Sequence, residues 1–394
     1  MNGIPRGAVF ICDLTNLRKK YIVNKKASPA IAQKLAHAYN LFNQGFVSEA
    51  EDAATQILKK IPNESYALHL LGILKLKESD LEPAIHALKK AVEINKNPEF
   101  LSNLALAYQE SGVIEKAMSL YEQALKIEPK YINALFNQHA IWLDQGNIES
   151  AINNLKKILT LNPSDDEVIY ILLHLHHVYK NQSMTHYEDL LSKGNDLSRS
   201  RLGAFQYFRD IKPIPKLLGS GYTVLKKAYQ ALSLQNGLIL EFGVRHGTSI
   251  RQLASFTSQP IYGFDSFEGL PEDWHQESKE VYSTRGKIPK VPAHVTLIPG
   301  WFEETLPLFL EKHGEDIALI NIDCDIYSST KTVLDLLSPR IKKGTIILFD
   351  EYIGNLHWEE DEHKAFMESI DTHQWKYEYL FYSAYTKQVA VKII

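Results

Sequence analysis

The sequence predicts an α-helical repeat array followed by a doubly wound α/β domain. Four alanines recur at near-constant spacing in the first half, and from Gly237 short apolar runs alternate with amphipathic stretches. The length of 394 residues agrees, since it exceeds one ordinary core.

Ala50, Ala84, Ala117 and Ala151 lie 34, 33 and 34 residues apart. Gly45, Ser79, Gly112 and Gly146 precede them at a fixed offset, and Pro62, Pro129 and Pro163 close three of the four units. Within a unit the apolar residues fall at helical spacing, as in Leu101, Leu104, Ala105 and Tyr108. A helix-turn-helix of this period needs a residue that leaves the first helix without a Cβ clash. It also needs a small residue where two helices cross closely, and proline where the second helix stops. The pattern resembles the tetratricopeptide repeat over roughly residues 30–165, although His37 and His139 replace usual large residues. Asp165–Lys180 reads as a polar-capped closing helix. Such an array implies a protein partner or carrier in its concave groove; a spacer or dimerisation surface is the other reading. Asn103, Gln138 and His139 are candidates for that groove, with ordinary packing as the plain alternative.

Hydrophobic content of 45%, charged content of 23% and a net charge of -4 fit a soluble globular protein. They show no electrostatic footprint for nucleic acid or an anionic membrane. Cys12 and Cys324 exclude a disulfide framework, so a reducing, cytoplasmic setting is expected. No apolar run approaches the roughly 20 residues that span a bilayer. Ala8–Cys12 is too short for a signal peptide. The expected domains are an N-terminal segment (1–29), the repeats with their closing helix (30–184), a connecting helical segment (185–235) and the α/β domain (236–394).

Strands are expected at Leu238–Phe242, Ile261–Phe264, Val295–Pro299, Ile317–Ile322, Thr345–Phe349, Tyr377–Tyr382 and Gln388–Ile393, the last two antiparallel. The first loop, Glu241-Phe-Gly243-Val-Arg-His-Gly247-Thr248-Ser249, joins a strand end to a helix start. Gly243 and Gly247 let backbone approach a ligand. Glu241 and the bulky Arg245 and His246 disfavour a diphosphate there. A cofactor with an amino-acid end, whose ammonium needs an acceptor, fits better. The second strand ends in Asp265-Ser266-Phe267, 24 residues after Glu241, where an acid can accept from both ribose hydroxyls. Asp265 as a helix cap is the bland reading. Two further strand ends carry Asp323-Cys-Asp325 and Asp350-Glu351-Tyr352. Carboxylates clustered there repel unless a cation lies among them, and Mg²⁺ suits oxygen ligands. Capping by Asp325 and Asp350 is the alternative.

From Leu240 to about Ile394 the chain resembles the macrocin O-methyltransferase family. The matches are Glu241-Phe-Gly243-Val with Gly247, Phe264-Asp265-Ser266-Phe267-Glu268-Gly269-Leu270-Pro271, Gly300-Trp301-Phe-Glu-Glu-Thr-Leu-Pro307, Asp323-Cys-Asp325-Ile-Tyr327-Ser328-Ser329-Thr330 and Asp350-Glu351-Tyr352. The resemblance implies a class I methyltransferase fold, S-adenosylmethionine as donor, and Mg²⁺ on Asp325, Asp350 and Glu351. It places Glu241, Gly243, Gly247, Thr248, Ser249, Asp265, Ser266, Trp301 and Asp323 around the donor. Where the family has Asp-Asp-Tyr, this chain has Asp-Glu-Tyr.

The reaction expected is in-line methyl transfer to a hydroxyl of a small-molecule or glycan acceptor, with Asp323 or Asp325 as base and His246 as a rival. A protein methyltransferase that recruits its substrate through the repeats, and an inactive methyltransferase-like scaffold, are the other readings. The intact acids speak against the scaffold.

Overall fold

The computed structural model describes residues 29–234, 236–275 and 277–394. Ala8–Cys12 and nearly all of the expected N-terminal segment lie outside the described residues. The helices pair as the alanine spacing predicts. Helix α1 (Pro29–Asn43) turns into α2 (Val47–Lys60), and α3 (Ser65–Lys77) into α4 (Leu81–Ile94). Helix α5 (Pro98–Glu110) turns into α6 (Ile114–Ile127), and α7 (Ile132–Asp144) into α8 (Ile148–Leu161). All four period-marking alanines are fully buried.

Each turn closes in the same way. Gly45, Ser79, Gly112 and Gly146 take φ of +87°, +58°, +78° and +80°. In each turn this residue's N–H bonds three residues back and the next N–H five residues back, as Val113 does to the Tyr108 carbonyl at 2.8 Å. The doubled closure satisfies carbonyls that the helix end would orphan. Ser79 alone carries a Cβ in this left-handed conformation, which costs roughly 1 kcal/mol. Replacing Ser79 by Gly is therefore expected to stabilise the full chain by up to about 1 kcal/mol, read as a higher thermal midpoint. A lower midpoint would contradict this account of the turn.

The described chain divides into two compact units, one ending at Gln138 and the other running from His139 to Ile394. In the first, the buried His69 ring stacks on Phe100 at 4.2 Å between centroids. Its Nδ1 lies 2.9 Å from the Tyr39 hydroxyl and its Nε2 2.8 Å from Asn103 Nδ2. Asn103 is thus a buried core partner, and Gln138 and His139 are buried as well. Burial pushes the His69 imidazole down to about 3. An unfolded histidine takes its proton near 6.5, so this site's contribution is complete above that value and is lost as pH falls toward the folded value. The thermal midpoint is expected to drop as pH goes from about 6.5 to about 4, with a shallower slope in His69→Phe. An identical slope in the variant would remove His69 as a cause.

In the second unit α9 (Asp166–Leu175), α10 (Thr185–Ser192) and α11 (Asp196–Asp210) lead into the sheet. The C-terminal part of the last repeat is stapled to this body. Asp144 accepts from the Gly219 and Ser220 N–H groups at 2.7 and 3.0 Å and from Ser220 Oγ at 2.6 Å. A Cβ on Gly219 would stand 2.0 Å from the Ala140 carbonyl oxygen, so only glycine permits that approach. His174 Nδ1 lies 2.8 Å from the Tyr382 hydroxyl, and the Tyr179 hydroxyl donates to the Leu217 carbonyl at 2.6 Å.

The sheet contains β1 (Lys216–Leu217), β2 (Leu238–Phe242), β3 (Ile261–Asp265), β4 (Val295–Pro299), β5 (Ile317–Ile322), β6 (Ile346–Phe349), β7 (Tyr377–Tyr382) and β8 (Val389–Ile393). Its order is β1-β7-β8-β6-β5-β2-β3-β4. β2 pairs in parallel with β3 and β5, and β8 pairs antiparallel with both β6 and β7. The expected parallel strands and closing antiparallel pair are present. The two-residue β1, parallel to β7, was too short to announce itself in sequence. Helices α12 (Gly221–Gln230) and α13 (Thr248–Phe256) send Val224, Leu225, Ile250 and Leu253 into one core with Ile239, Leu319 and Ile346. Phe242 and Phe264 stack at 4.9 Å, with Phe302 and Phe309 of α14 (Phe302–Leu310) edge-on against them. The order reverses where β2 meets β5, leaving a crevice outside the carboxyl ends of those strands.

Candidate active site

Continuous apolar runs put β2 and β5 in the centre of the sheet, so whatever ends them is held rigidly. Glu241 is fully buried one residue before the end of β2. It accepts from Ser249 Oγ at 2.8 Å and from Asn321 Nδ2 at 3.1 Å, Asn321 lying opposite it in register. Burial raises its carboxyl to about 8, against the pull of those two donors. Glu241 thus ties the start of α13 to β5 from beneath the loop.

The loop above it is shaped by backbone crowding. Gly243 has φ +93°, and its N–H bonds to the Phe264 carbonyl at 3.0 Å. A Cβ there would stand 1.7 Å from the Asp323 carbonyl oxygen. The glycine is needed for the neighbouring turn, whatever ligand also approaches. Gly247, at φ +77°, leads into Thr248, the first residue of α13. Asp265 ends β3 half-buried and takes the Arg245 N–H on one oxygen and the Phe267 N–H on the other, each at 2.6 Å. Burial raises its pKa while those N–H groups oppose the shift. A carboxylate has about four acceptor positions, so lone pairs remain for another donor. Ser266 Oγ donates to the Gly269 carbonyl at 2.9 Å and so serves its own turn. Trp301 sits at the start of α14, where its carbonyl takes the Thr305 hydroxyl at 2.9 Å.

Two stepped backbone bonds bring the remaining acids alongside. The Asp323 N–H reaches the Phe242 carbonyl at 2.8 Å, and the Asp350 N–H reaches the Ile322 carbonyl at 3.0 Å. Asp325 sits at φ +61° in a three-residue turn closed by the Ile326 N–H on the Cys324 carbonyl at 2.6 Å. A non-glycine residue held there stores of order 1–3 kcal/mol. Burial and then neighbouring negative charge push Asp323 and Asp325 well up, and Asp350 to about 7. Glu362, the first residue of α15 (Glu362–His373), is raised by the same causes. Its Oε2 accepts the Glu351 N–H at 3.1 Å, and its buried Oε1 has no hydrogen-bond partner. Sequence reasoning missed Glu362 because Glu359-Glu360-Asp361-Glu362 reads as a solvated charge run. It also missed Asn321, a lone polar residue in an apolar strand, which is the kind of signal that marks a buried hydrogen-bond partner.

The acids gather near one another but do not form a metal cage. Among the described residues no three histidine, cysteine, aspartate or glutamate side chains converge to hold a metal ion. Glu351 turns to Lys387 Nζ at 3.1 Å and to Asn355 Nδ2, and Asp350 turns to Gln388 Nε2 at 2.5 Å. Asp325, Asp350 and Glu351 thus have the chemistry of a hard-cation set without its convergence, and the Mg²⁺ expectation does not fit this arrangement.

Residues 240–352 match the methyltransferase-domain family, and residues 65–98 and 98–131 match the tetratricopeptide repeat. Within the C-terminal unit, residues 240–352 are thus similar to a methyltransferase domain. Over 141 residues the chain is 31% identical to the 8-demethyl-8-(2,3-dimethoxy-alpha-L-rhamnosyl)-tetracenomycin-C 4'-O-methyltransferase of Streptomyces olivaceus, covering 29% of this chain and 53% of that protein. Over 130 residues it is 32% identical to a TPR repeat-containing protein of Methanocaldococcus jannaschii, covering 33% of this chain and 23% of that protein. A crystal structure of a calicheamicin methyltransferase aligns with 52% of this chain and 88% of its own at 21% identity and a TM-score of 0.38. The chain therefore spans about half the length of its methyltransferase relative and about a quarter of the repeat protein. Among the described residues no helix is long and apolar enough to cross a membrane.

The crowding at Gly243 gives a direct test of the loop. Gly243→Ala places a Cβ against a fixed backbone carbonyl, so it is expected to cost several kcal/mol, about 3 or more, or to prevent folding. Gly45→Ala, where the added Cβ meets nothing within 4 Å, is expected to cost roughly 1 kcal/mol from its φ alone. Equal thermal midpoints for the two variants would contradict the crowding argument.

Proposed function

We propose that the C-terminal unit transfers the methyl group of S-adenosylmethionine to a hydroxyl oxygen of a small, sugar-like acceptor, and that the repeats hold a protein partner or carrier. The observation that carries this reading is the acid-flanked loop between Glu241 and Asp265 inside the segment that matches the methyltransferase domain. The named sugar methylation of the Streptomyces relative supports a hydroxyl acceptor.

Asp265, with acceptor positions to spare, is the residue for the ribose hydroxyls. The Gly243–Thr248 backbone, tied down through Glu241 and Ser249, lies where the amino-acid end would rest. Ser266 and Trp301 would line the same side. When bound, S-adenosylmethionine supplies an electrophilic methyl on a sulfonium. This chain's part is to hold the acceptor oxygen in line and to take its proton. Asp323 and Asp325 are the candidate bases. Their raised pKa values bring proton affinity closer to that of a useful base at neutral pH. His246 remains the rival.

Calorimetry on the full chain tests the donor, and release of S-adenosylhomocysteine with a panel of sugar hydroxyl acceptors tests transfer. Asp265→Ala is expected to weaken S-adenosylmethionine binding by roughly 10- to 100-fold, the loss of a charged hydrogen-bond pair of about 1.5–3 kcal/mol. Asp325→Asn is expected to keep donor affinity, and Asp323→Asn and Asp325→Asn are each expected to lower turnover, the true base by about 100-fold or more. Unchanged affinity in Asp265→Ala would take that residue out of the ribose role.

A further inference from the structure

We propose that Lys387 supplies the cation at the acid-lined end of the sheet, so that this chain holds Asp350 and Glu351 with its own side chains and binds no divalent ion there. The proposal depends on the methyl-transfer reading only for the place of these acids in the site.

A short turn joins β7 to β8. Ser383 fixes it: the Ser383 N–H reaches the Gln388 carbonyl at 2.9 Å, and Ser383 Oγ accepts the Tyr385 and Thr386 N–H groups at 3.2 and 3.0 Å. Lys387 follows at φ +65°, a conformation that turns the chain sharply. Its ammonium lies 3.1 Å from Glu351 Oε2, the two side chains being only 12% and 11% exposed. A pair so poorly exposed is weakly screened by water and salt. The next residue repeats the device. Thr386 Oγ1 bonds Gln388 Oε1 at 3.0 Å, which orients the amide so that its Nε2 donates to Asp350 Oδ1 at 2.5 Å. Asn355 adds a second donor to Glu351, giving Nδ2 to its side chain and, at 3.2 Å, to its carbonyl oxygen.

Both acids of the Asp350-Glu351 pair are therefore already engaged by donors fixed in a short hairpin. Mg²⁺ requires near-octahedral oxygen ligands at about 2.0–2.1 Å. Bound through the other oxygens of Glu351 and Asp350, it would stand beside the Lys387 ammonium, a like charge already held 3.1 Å from Glu351 Oε2. One lysine in this place supplies positive charge and hydrogen-bond donors without coordination geometry. Arg245 adds a second positive group near Asp325.

The test is metal binding by the full chain, which needs no turnover. Protein stripped with chelator is titrated with MgCl₂ and MnCl₂ by calorimetry, alone and with S-adenosylmethionine present. The wild type is expected to show no stoichiometric tight site and to keep its melting midpoint in excess chelator. Lys387→Met, which frees Glu351, is expected to gain divalent affinity by roughly tenfold or more, while Lys387→Arg is expected to stay metal-free. One tight divalent ion per wild-type chain would overturn the proposal, and so would a Lys387→Met variant that folds without gaining affinity. Should Lys387→Met not fold, Lys387→Gln serves in its place. S-adenosylmethionine titration of the same samples tests the methyl-transfer reading separately, so the failure of one is distinguishable from the failure of the other.

Discussion

The site depends on one close approach between two backbone turns. The Asp323 carbonyl oxygen occupies the space where a Cβ on Gly243 would stand, and Asp323 in turn donates its N–H to the Phe242 carbonyl. These contacts lock the end of β2 against the end of β5. The glycine loop and the Asp323–Asp325 turn are thereby held side by side, which is what places a donor-binding loop next to candidate bases. Glu241 reinforces the same junction from below through Ser249 and Asn321. Everything else in the crevice is attached to this crossing: Asp265 through Arg245, and Asp350 through Ile322.

Electrostatic crowding is the cost of that arrangement. Five carboxyl groups, at positions 323, 325, 350, 351 and 362, lie close enough that charge on several of them raises the proton affinity of their neighbours. At a protein-like effective dielectric such repulsions amount to several kcal/mol. The protein meets this in three ways. Protons are retained more readily on the deeply placed acids, fixed amides donate to Asp350 and Glu351, and one ammonium sits beside Glu351. Glu362 takes the Glu351 N–H and so steadies the turn that carries both engaged acids.

The repeat region obeys a separate constraint. Its alanines are buried at every crossing, and its turns share one left-handed residue and one doubled hydrogen-bond closure. The C-terminal part of the last repeat belongs with the sheet. Asp144 fills its acceptors with the Gly219–Ser220 backbone ahead of α12, and His174 and Tyr179 bond to strand residues. An Asp at the end of a repeat helix carries no such message in sequence, because its partners lie some 75 residues on.

Local chemistry made much of this protein legible in its sequence. The period of Ala50, Ala84, Ala117 and Ala151 announced the helix pairs, because a crossing tolerates little beyond a methyl group. Apolar runs announced β2 to β6, because buried parallel strands are apolar on both faces, and the close spacing of the last two runs announced the antiparallel pair. Acids at strand ends marked the crevice, since ligands of such sheets bind there. The tertiary structure alone decided which acids are engaged and by what. Lys387 and Gln388 lie more than 30 residues from Asp350 and Glu351 and reach them only because β8 runs antiparallel beside β6. Likewise Gly243 is a flexible loop residue in sequence, and becomes an irreplaceable one when β5 delivers the Asp323 carbonyl to its side. Patterns set by neighbours along the chain are written in the sequence. The direction a side chain turns is settled by partners that only the paired strands bring within hydrogen-bond reach.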